Sequence, residues 1–600
     1  MWGDASQKRP ISLNGVEKGV TVNLHAFLQA LEQSTAPHSQ SHLSAFSGHR
    51  FWIDAICINQ DNNREKVHQV NMMRHIYQSA YKTLIWLGDV AEDSDTAFEW
   101  LELLSPIHIK ELRRMSNAEK DKLWNNRAWT AFCSLLERLY FRRRWIIQEA
   151  VVSERLYVAC GNKVLKWNQF ETATEHAAGI LFENRSARSI PLLVTDVEPV
   201  MSIGKFRRRL VQEGNAASAN MLELLTLFRR CASGEPHDRI YSFLGLCSEQ
   251  EASGNPIDYA YPIEDVFMNV VISHIRVFNN LDFLNTCTQA ARTLHRIDNT
   301  AHWVGNVKIL PDNPNWARMV ELPYLPTWTP NWTSYRTDWH LGPMSLDAAN
   351  DFTLFNACGS TNCRVRNLEN AINERILRAH GVEIDRIARV HPYTPVPDPD
   401  QKNPNSDIFP SLWGFCSSVP ISNSPYGSEA NRLMAYFRTL TAGGLSPFTR
   451  LFVTDRYLRY WYTQFFRNES RFRPQVHKLL QPRDYTKPAL EECYETPDRG
   501  LAHAKALGLV YPGMSFDKLC AFKVFITQQG WIGLGPPKTE VGDKVCVLFG
   551  CSSPLVLYFD PANQKGLCVR GESYIHGWMF GEILEKIRLG ELKTRIFDLV

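Results

Sequence analysis

Across 600 residues there is no C-x-x-C pair, although fourteen cysteines are present. The closest pairs, Cys358/Cys363 and Cys546/Cys551, lack the partner clusters that zinc spacing requires, so no metal or other cofactor is expected. Scattered thiols of this kind suit a reducing compartment. No run approaches the ~18 apolar residues that span a bilayer. The amino end, MWGDASQKRP, lacks the apolar centre of a signal peptide, so the sequons at Asn184, Asn331 and Asn468 read as chance matches and the expected location is cytoplasmic. An excess of one charge is missing too: 66 basic and 63 acidic residues leave +3, which gives no global polyanion-binding character. There is no G-x-x-x-x-G-K-[ST], no G-x-S-x-G and no H-E-x-x-H, which excludes the P-loop, nucleophile-elbow and zincin chemistries. No internal repeat is found.

What the chain does have is 44% hydrophobic residues, ample for several cores at roughly 100 to 200 residues per domain. The organising stretch is Phe51 to Gly88, FWIDAICINQDNNREKVHQVNMMRHIYQSAYKTLIWLG. Phe51 to Ile58 is almost unbroken apolar sequence and reads as a strand buried on both faces of a parallel sheet. Asn59 to Asn63 breaks it, and Asn62 with Glu65 has N-cap spacing. Val67, Val70, Met73, Tyr77 and Ala80 then recur at helical intervals, and Thr83 to Leu87 reads as a second strand. Such a strand-helix-strand unit brings two parallel strands together, with Asn59, Gln60 and Asp61 at the carboxyl edge where α/β sheets bind ligands. On spacing alone these residues need only turn the chain.

Either side of this unit the expectations are a hairpin around Gly15 and Gly19, a helix from Asn23 to Leu31, and a helical insertion between Gly88 and Trp129. A helix carrying Trp145, Gln148, Glu149 and Val152 on one face precedes a strand from Leu156 to Cys160. Residues 1–160 are read as one domain, 161–345 as mainly helical and 346–440 as mixed, with a Pro/Ser/Asn-rich loop at 392–426. The last region, 441–600, reads as an α+β module with a β-rich tail. Leu325 to Trp332 reads as an aromatic docking segment. Gly530, Gly533 and Gly535 are followed by Pro536-Pro537, which points to β-turns rather than a phosphate loop.

Glu149 is the most interesting acid. A carboxylate in an otherwise apolar helix, beside Trp145, is either desolvated with a raised pKa or paired with Arg142 or Arg143. Cys57 is expected to be buried in its strand. The triplets Arg142–Arg144 and Arg207–Arg209 suggest a nucleic-acid patch, but solvated helix faces are the commoner use and the near-neutral charge argues against it.

Several motifs together carry a resemblance: Trp2-Gly3-Asp4, FWIDAICINQ, IYQSAYKTLIWLG and YFRRRWIIQEA, followed by DRIYSFLGL, LPTWTPNW, GDKVCVLFGCSSPLVL and GESYIHGWMFGE. In these the chain resembles the fungal heterokaryon-incompatibility (HET) domain proteins, over most of its length. The resemblance implies non-self recognition and regulated cell death in filamentous fungi. The HET domain is itself similar to TIR domains, flavodoxin-like α/β modules of which some cleave NAD. It implies Glu149 as catalytic, Trp145 as its i−4 neighbour, and Asp54, Asn59, Gln60, Trp2 and Asp4 around the substrate. NAD would be a substrate, not a cofactor.

Family members carry a strand ending in Ser-Tyr-x-Trp-Gly-Asp, whereas this chain starts at Met1-Trp2-Gly3-Asp4. The expected fold is therefore α/β and TIR-like, with a helical insertion and without its first strand, unless the chain begins upstream or Ile11 to Val22 fills the place. The alternative function is a non-catalytic, self-associating interaction module, or an inactive, truncated family member, with an unknown protein partner or trigger.

Overall fold

The computed structural model describes residues 7–36, 41–59, 62–183, 194–213, 219–229, 231, 233–287, 302–304, 307–309, 322, 324–333, 355–392, 408–440, 444–446, 449–452, 522–562 and 565–600. These divide into two units, one made chiefly of residues 1–266 and the other chiefly of 267–600.

The first unit opens with the expected hairpin, β1 (Lys8–Leu13) against β2 (Val16–Thr21). Asn14 and Gly15 both take positive φ, 53° and 80°, which is the backbone of the two-residue turn that Asn-Gly favours. Thr21 caps α1 (Val22–Ser34) by accepting from Leu24 N, and α1 buries Leu24 and Phe27 in a core with Val20, Leu43, Ile53 and Trp86.

The apolar run Phe51–Ile58 is not a strand. Asp54–Cys57 makes a single helical turn, α2, between extended Ile53 and Ile58. A buried strand must pass its backbone groups to a neighbour, and here they are satisfied locally: Ile56 N and Cys57 N bond to Ile53 O at 2.9 and 2.8 Å, and Ile58 N to Asp54 O at 3.1 Å. Asp54 Oδ1 accepts from Ala55 N at 2.8 Å, and an acid in the first turn suits the helix dipole. The turn points Cys57 outward, so this thiol is exposed rather than buried. A short apolar run leaves helix and strand undecided, and the local bonds decided it.

Asn62 caps α3 (Asn63–Ser79) as its spacing implied, accepting from Arg64 N and Glu65 N. β3 (Thr83–Trp86) follows, then the helical insertion: α4 (Ser94–Leu104), α5 (Ile109–Arg114), α6 (Asn117–Leu123), α7 (Asn126–Leu136) and α8 (Leu139–Arg142). The chain then makes α9 (Trp145–Val152), β4 (Leu156–Cys160) and β5 (Lys163–Lys166). β3 pairs in parallel with β4, and β4 is antiparallel to β5. The parallel neighbour of β3 is thus β4, not the Phe51–Ile58 run. Helices α10 (Trp167–Glu183), α11 (Val194–Glu213), α12 (Met221–Leu227), α13 (Asp238–Leu244) and α14 (Glu249–Ser253) follow, and α15 (Ile263–Phe278) runs on into the second unit.

The second unit is built on the 14-residue strand Leu377–Val390. Strands Lys544–Leu548, Leu555–Phe559, Leu567–Glu572 and Thr594–Leu599 pair in turn, and both ends pair with Leu377–Val390, which closes a five-stranded barrel. Gly381 permits the closure, since a Cβ there would lie 2.4 Å from Val547 O. Val382, Ile384, Val545, Val547 and Val556 belong to one buried core cluster with Phe525, Ile575 and Trp578. The aromatic segment docks as expected: Trp328 is fully buried with Nε1 donating to Arg375 O, and Thr327 N donates to Val600 O at 3.0 Å.

Two readings in this unit are corrected. The Pro/Ser/Asn-rich segment holds a helix, Ile408–Ser417, whose Trp413 meets Tyr436 at 5.4 Å, while residues 393–407 lie outside the described residues. Gly533 and Gly535 belong to a strand, Ile532–Gly535, because only glycine leaves room for the Phe525 ring; Gly530 alone is in a turn. Of the run from Gly443 to Tyr462, only a small hairpin, Gly444–Ser446 against Thr449–Phe452, is described.

Candidate active site

A cavity of about 700 Å³ lies in the first unit, within the range of small-molecule sites. Thr83, Leu84 and Trp86 of β3, with Leu87 after it, line one part of it. The Phe51–Asp54 segment and the end of α3 form the sides, and α8, Arg143 and Glu149 complete it. Several aromatic rings line it. Phe27 meets Phe51 edge-on at 5.8 Å and Trp86 at 5.5 Å, and Trp52 meets Tyr77 edge-on at 5.7 Å. The Trp86 indole Nε1 is buried without a hydrogen-bond partner among the described residues, so a ligand acceptor would satisfy it.

Glu149 faces this cavity from α9, only 9% exposed. Burial pushes its carboxyl above the ordinary value; the Arg143 guanidinium opposes the shift and the Asp54 carboxylate adds to it. Both sequence readings of Glu149 therefore hold in part: it is desolvated, and Arg143 acts on it. Tyr77 and Tyr140 complete the cluster. Burial raises both phenols strongly, and the negative charge of Glu149 is the next cause in each. The tyrosines consequently stay protonated as hydrogen-bond donors. Neither was singled out as a site residue from the sequence: Tyr77 read as part of the apolar stripe of α3, and Tyr140 entered only as the first residue of the YFRRRWIIQEA motif.

The geometry of α9 explains why a carboxylate is held here. At its C-terminal end Ser153 Oγ donates to Glu149 O at 2.6 Å and lies 2.7 Å from Thr83 Oγ1, tying α9 to β3. Arg207 donates to Ala150 O and Ser153 O, covering carbonyls that a helix end leaves open. At the N-terminal end Arg144 is buried, donating to Arg239 O and Phe228 O at 3.1 and 3.0 Å. Arg208 and Arg209 are occupied with Glu171 and Glu223. Arg144, Arg207 and Arg209 are thus engaged within the protein, whereas Arg208 is half exposed.

Of the residues marked from the sequence, Asp54 and Glu149 line the same cavity. Asn59 is exposed in the loop before α3, its N–H donating to Glu65 Oε1 at 2.9 Å, and it is not among the described lining residues. Trp145 is not among them either. Trp2, Asp4 and Gln60 lie outside the described residues.

The fold and site define a class: an α/β unit with a buried carboxylate in an aromatic cavity, followed in the chain by a unit with a closed β-barrel. Residues 1–149 match the family model of the heterokaryon incompatibility protein (HET), and residues 493–592 match that of the Het-6 beta-barrel domain. The chain is 24% identical to heterokaryon incompatibility protein 6, OR allele, of Neurospora crassa, over 98% of this chain and 89% of that protein. No solved structure matches. The two family models and the relative together support a fungal heterokaryon-incompatibility protein, with the HET match at residues 1–149. Among the described residues no helix is long and apolar enough to cross a membrane, and no group of side chains is arranged to hold a metal ion.

Proposed function

We propose that this protein acts in heterokaryon incompatibility as a cytoplasmic effector of regulated cell death, and that its first unit does so by hydrolysing NAD at the Glu149 cavity. The observation that carries the reading is a buried carboxylate with a raised pKa lining a cavity that aromatic rings share. The resemblance of HET to TIR domains and the Trp145/Glu149 spacing supply the reaction class.

In that reaction the bond between ribose and nicotinamide breaks and its electron pair leaves with the nicotinamide nitrogen. Positive charge builds on the ribose, as in glycoside hydrolysis. Nicotinamide leaves neutral from a cationic precursor, so no general acid is required. Ionised Glu149 stabilises the ribosyl cation electrostatically, in a site where low polarity strengthens the interaction. Water adds to the ribose carbon and releases its proton to Glu149 or to solvent, giving ADP-ribose. Tyr77 and Tyr140 donate hydrogen bonds to the ribose or to Glu149, while Phe51, Trp52 and Trp86 offer surfaces for the planar rings. Asp54 contributes to the rim with Asn59, Gln60, Trp2 and Asp4, the placement the family resemblance suggests.

Incubating the purified full chain with NAD and following nicotinamide release tests this. The proposal expects release by the protein and loss of roughly 100-fold or more in Glu149→Ala. Equal rates from the two would sink it, and would leave the non-catalytic, self-associating module as the reading to pursue.

A further inference from the structure

We propose that the exposed part of the Glu149 cavity is a nucleotide subsite, in which Arg50 and Lys82 take phosphate oxygens and Tyr81 stacks on the base. The inference rests on the reading of this cavity given above and names the side chains that hold the phosphate-bearing half of the ligand.

The cavity is uniform in neither exposure nor charge. Asp54, Tyr77, Tyr140 and Glu149 line one part of it, and two carboxylates there suit a cationic ring. His49, Arg50, Tyr81 and Lys82 line it as well. His49 and Arg50 are exposed and Tyr81 keeps 64% of its surface open, against 9% for Glu149. The His49 and Tyr81 rings lie 6.3 Å apart, which brings the segment before Phe51 against the segment before β3.

Lys82 is fixed by neutral groups. Its Nζ donates to Ala45 O at 3.3 Å and lies 5.1, 5.6 and 5.9 Å from the ring centres of Phe46, Tyr81 and Tyr157. An ammonium has three protons to donate, and one carbonyl uses one of them. Arg155 adds another cation, its guanidinium 4.6 Å from the Tyr81 ring centre. Among the described residues none of His49, Arg50, Lys82 and Arg155 forms an ion pair, although Arg127, Lys163, Arg208 and Arg209 of the same unit each meet a carboxylate. The remaining cations of the lining are engaged: Arg138 donates to the carbonyls of Leu87, Asp89 and Ala91, and Arg143 acts on Glu149.

Like charges gathered at a cleft without counter-charges repel one another and concentrate anions there. Arginine and lysine both bind phosphate oxygens, and an open aromatic face beside them supplies stacking for a planar base. Carboxylates in one part of the cavity and free cations with Tyr81 in another match a ligand that is cationic at one end and a phosphate ester of a nucleoside at the other.

The test uses the full chain as wild type, Arg50→Ala, Lys82→Met, Tyr81→Ala and, as a control away from the cavity, Arg127→Ala. Titration calorimetry with ADP reads the subsite without reference to hydrolysis. Wild type and Arg127→Ala should bind ADP alike, Arg50→Ala and Lys82→Met about tenfold or more weakly, and Tyr81→Ala about fivefold or more weakly. In nicotinamide release the first two variants should raise KM for NAD about tenfold with kcat within about twofold. Their KM for nicotinamide riboside, which has neither phosphate nor adenine, should stay at the wild-type value. Wild type that fails to bind ADP at millimolar concentration would overturn the proposal, as would unchanged ADP affinity in Arg50→Ala and Lys82→Met, or equal rises in KM for both substrates. Unchanged affinity in Tyr81→Ala would overturn the stacking role. If the wild type releases no nicotinamide, the hydrolysis reading fails by itself and ADP binding still decides the subsite. If Lys82→Met does not fold, Arg50→Ala, at an exposed position, carries the comparison.

Discussion

Glu149 carries its functional meaning through the cost of being charged. Its folded carboxyl sits above the ordinary value because burial outweighs the help from Arg143. The sign for stability follows: a raised acid contributes stability that is complete below its unfolded pKa and is lost as pH rises through the folded one. Glu149→Gln, which keeps the shape but cannot ionise, is expected to gain thermal stability over wild type at pH 8 relative to the same comparison at pH 4. A melting-temperature series across that range checks it, and a gap that does not widen with pH would contradict the buried-charge account. Stabilisation by removing a functional group is the usual signature of a site maintained against folding stability. At this scale the sequence was informative for Glu149, a lone acid in an apolar helix, and silent for Tyr77 and Tyr140. A phenol inside a hydrophobic stripe looks like core until the carboxylate facing it is placed.

Among elements, α9 matters most, and its eight residues would not be stable as an isolated helix. Its order is imposed from outside, by Arg144 at one end and by Ser153 and Arg207 at the other. Arg207→Ala leaves the carbonyls of Ala150 and Ser153 open and should cost roughly 1–3 kcal/mol, with fraying of residues 150–153. Chemical denaturation with hydrogen exchange measures both, and an unchanged midpoint would show that Arg207 is not needed. Elements with their own local signals were legible: the Asn14-Gly15 hairpin, the Asn62 cap and the Leu156 to Cys160 strand. The failure was Phe51–Ile58. Its composition suited a buried strand, but a strand depends on a neighbour that the run itself does not specify, and Asp54 supplied a local alternative.

Across the whole molecule, the tail strands were readable from their regular turn residues, whereas barrel closure was not. The ring closes through Leu377–Val390, more than a hundred residues before Lys544 in sequence, and pairing at that separation leaves no local pattern. Two residues hold the closure. Trp328→Ala would empty a fully buried site at a cost of about 3–5 kcal/mol, and Gly381→Ala would force a Cβ against Val547 O at a cost of about 1–3 kcal/mol. Limited proteolysis should find both variants cut faster within the barrel segments, and wild-type resistance in both would contradict the closed ring. The central claim concerns the other unit, and the rate of nicotinamide release from NAD across pH 4 to 8, by wild type and Glu149→Gln side by side, tests it most directly. The account predicts a wild-type rate that climbs as Glu149 ionises, with a midpoint above the ordinary glutamate value, and a Glu149→Gln rate near background at every pH. Superimposable profiles for the two proteins would contradict it.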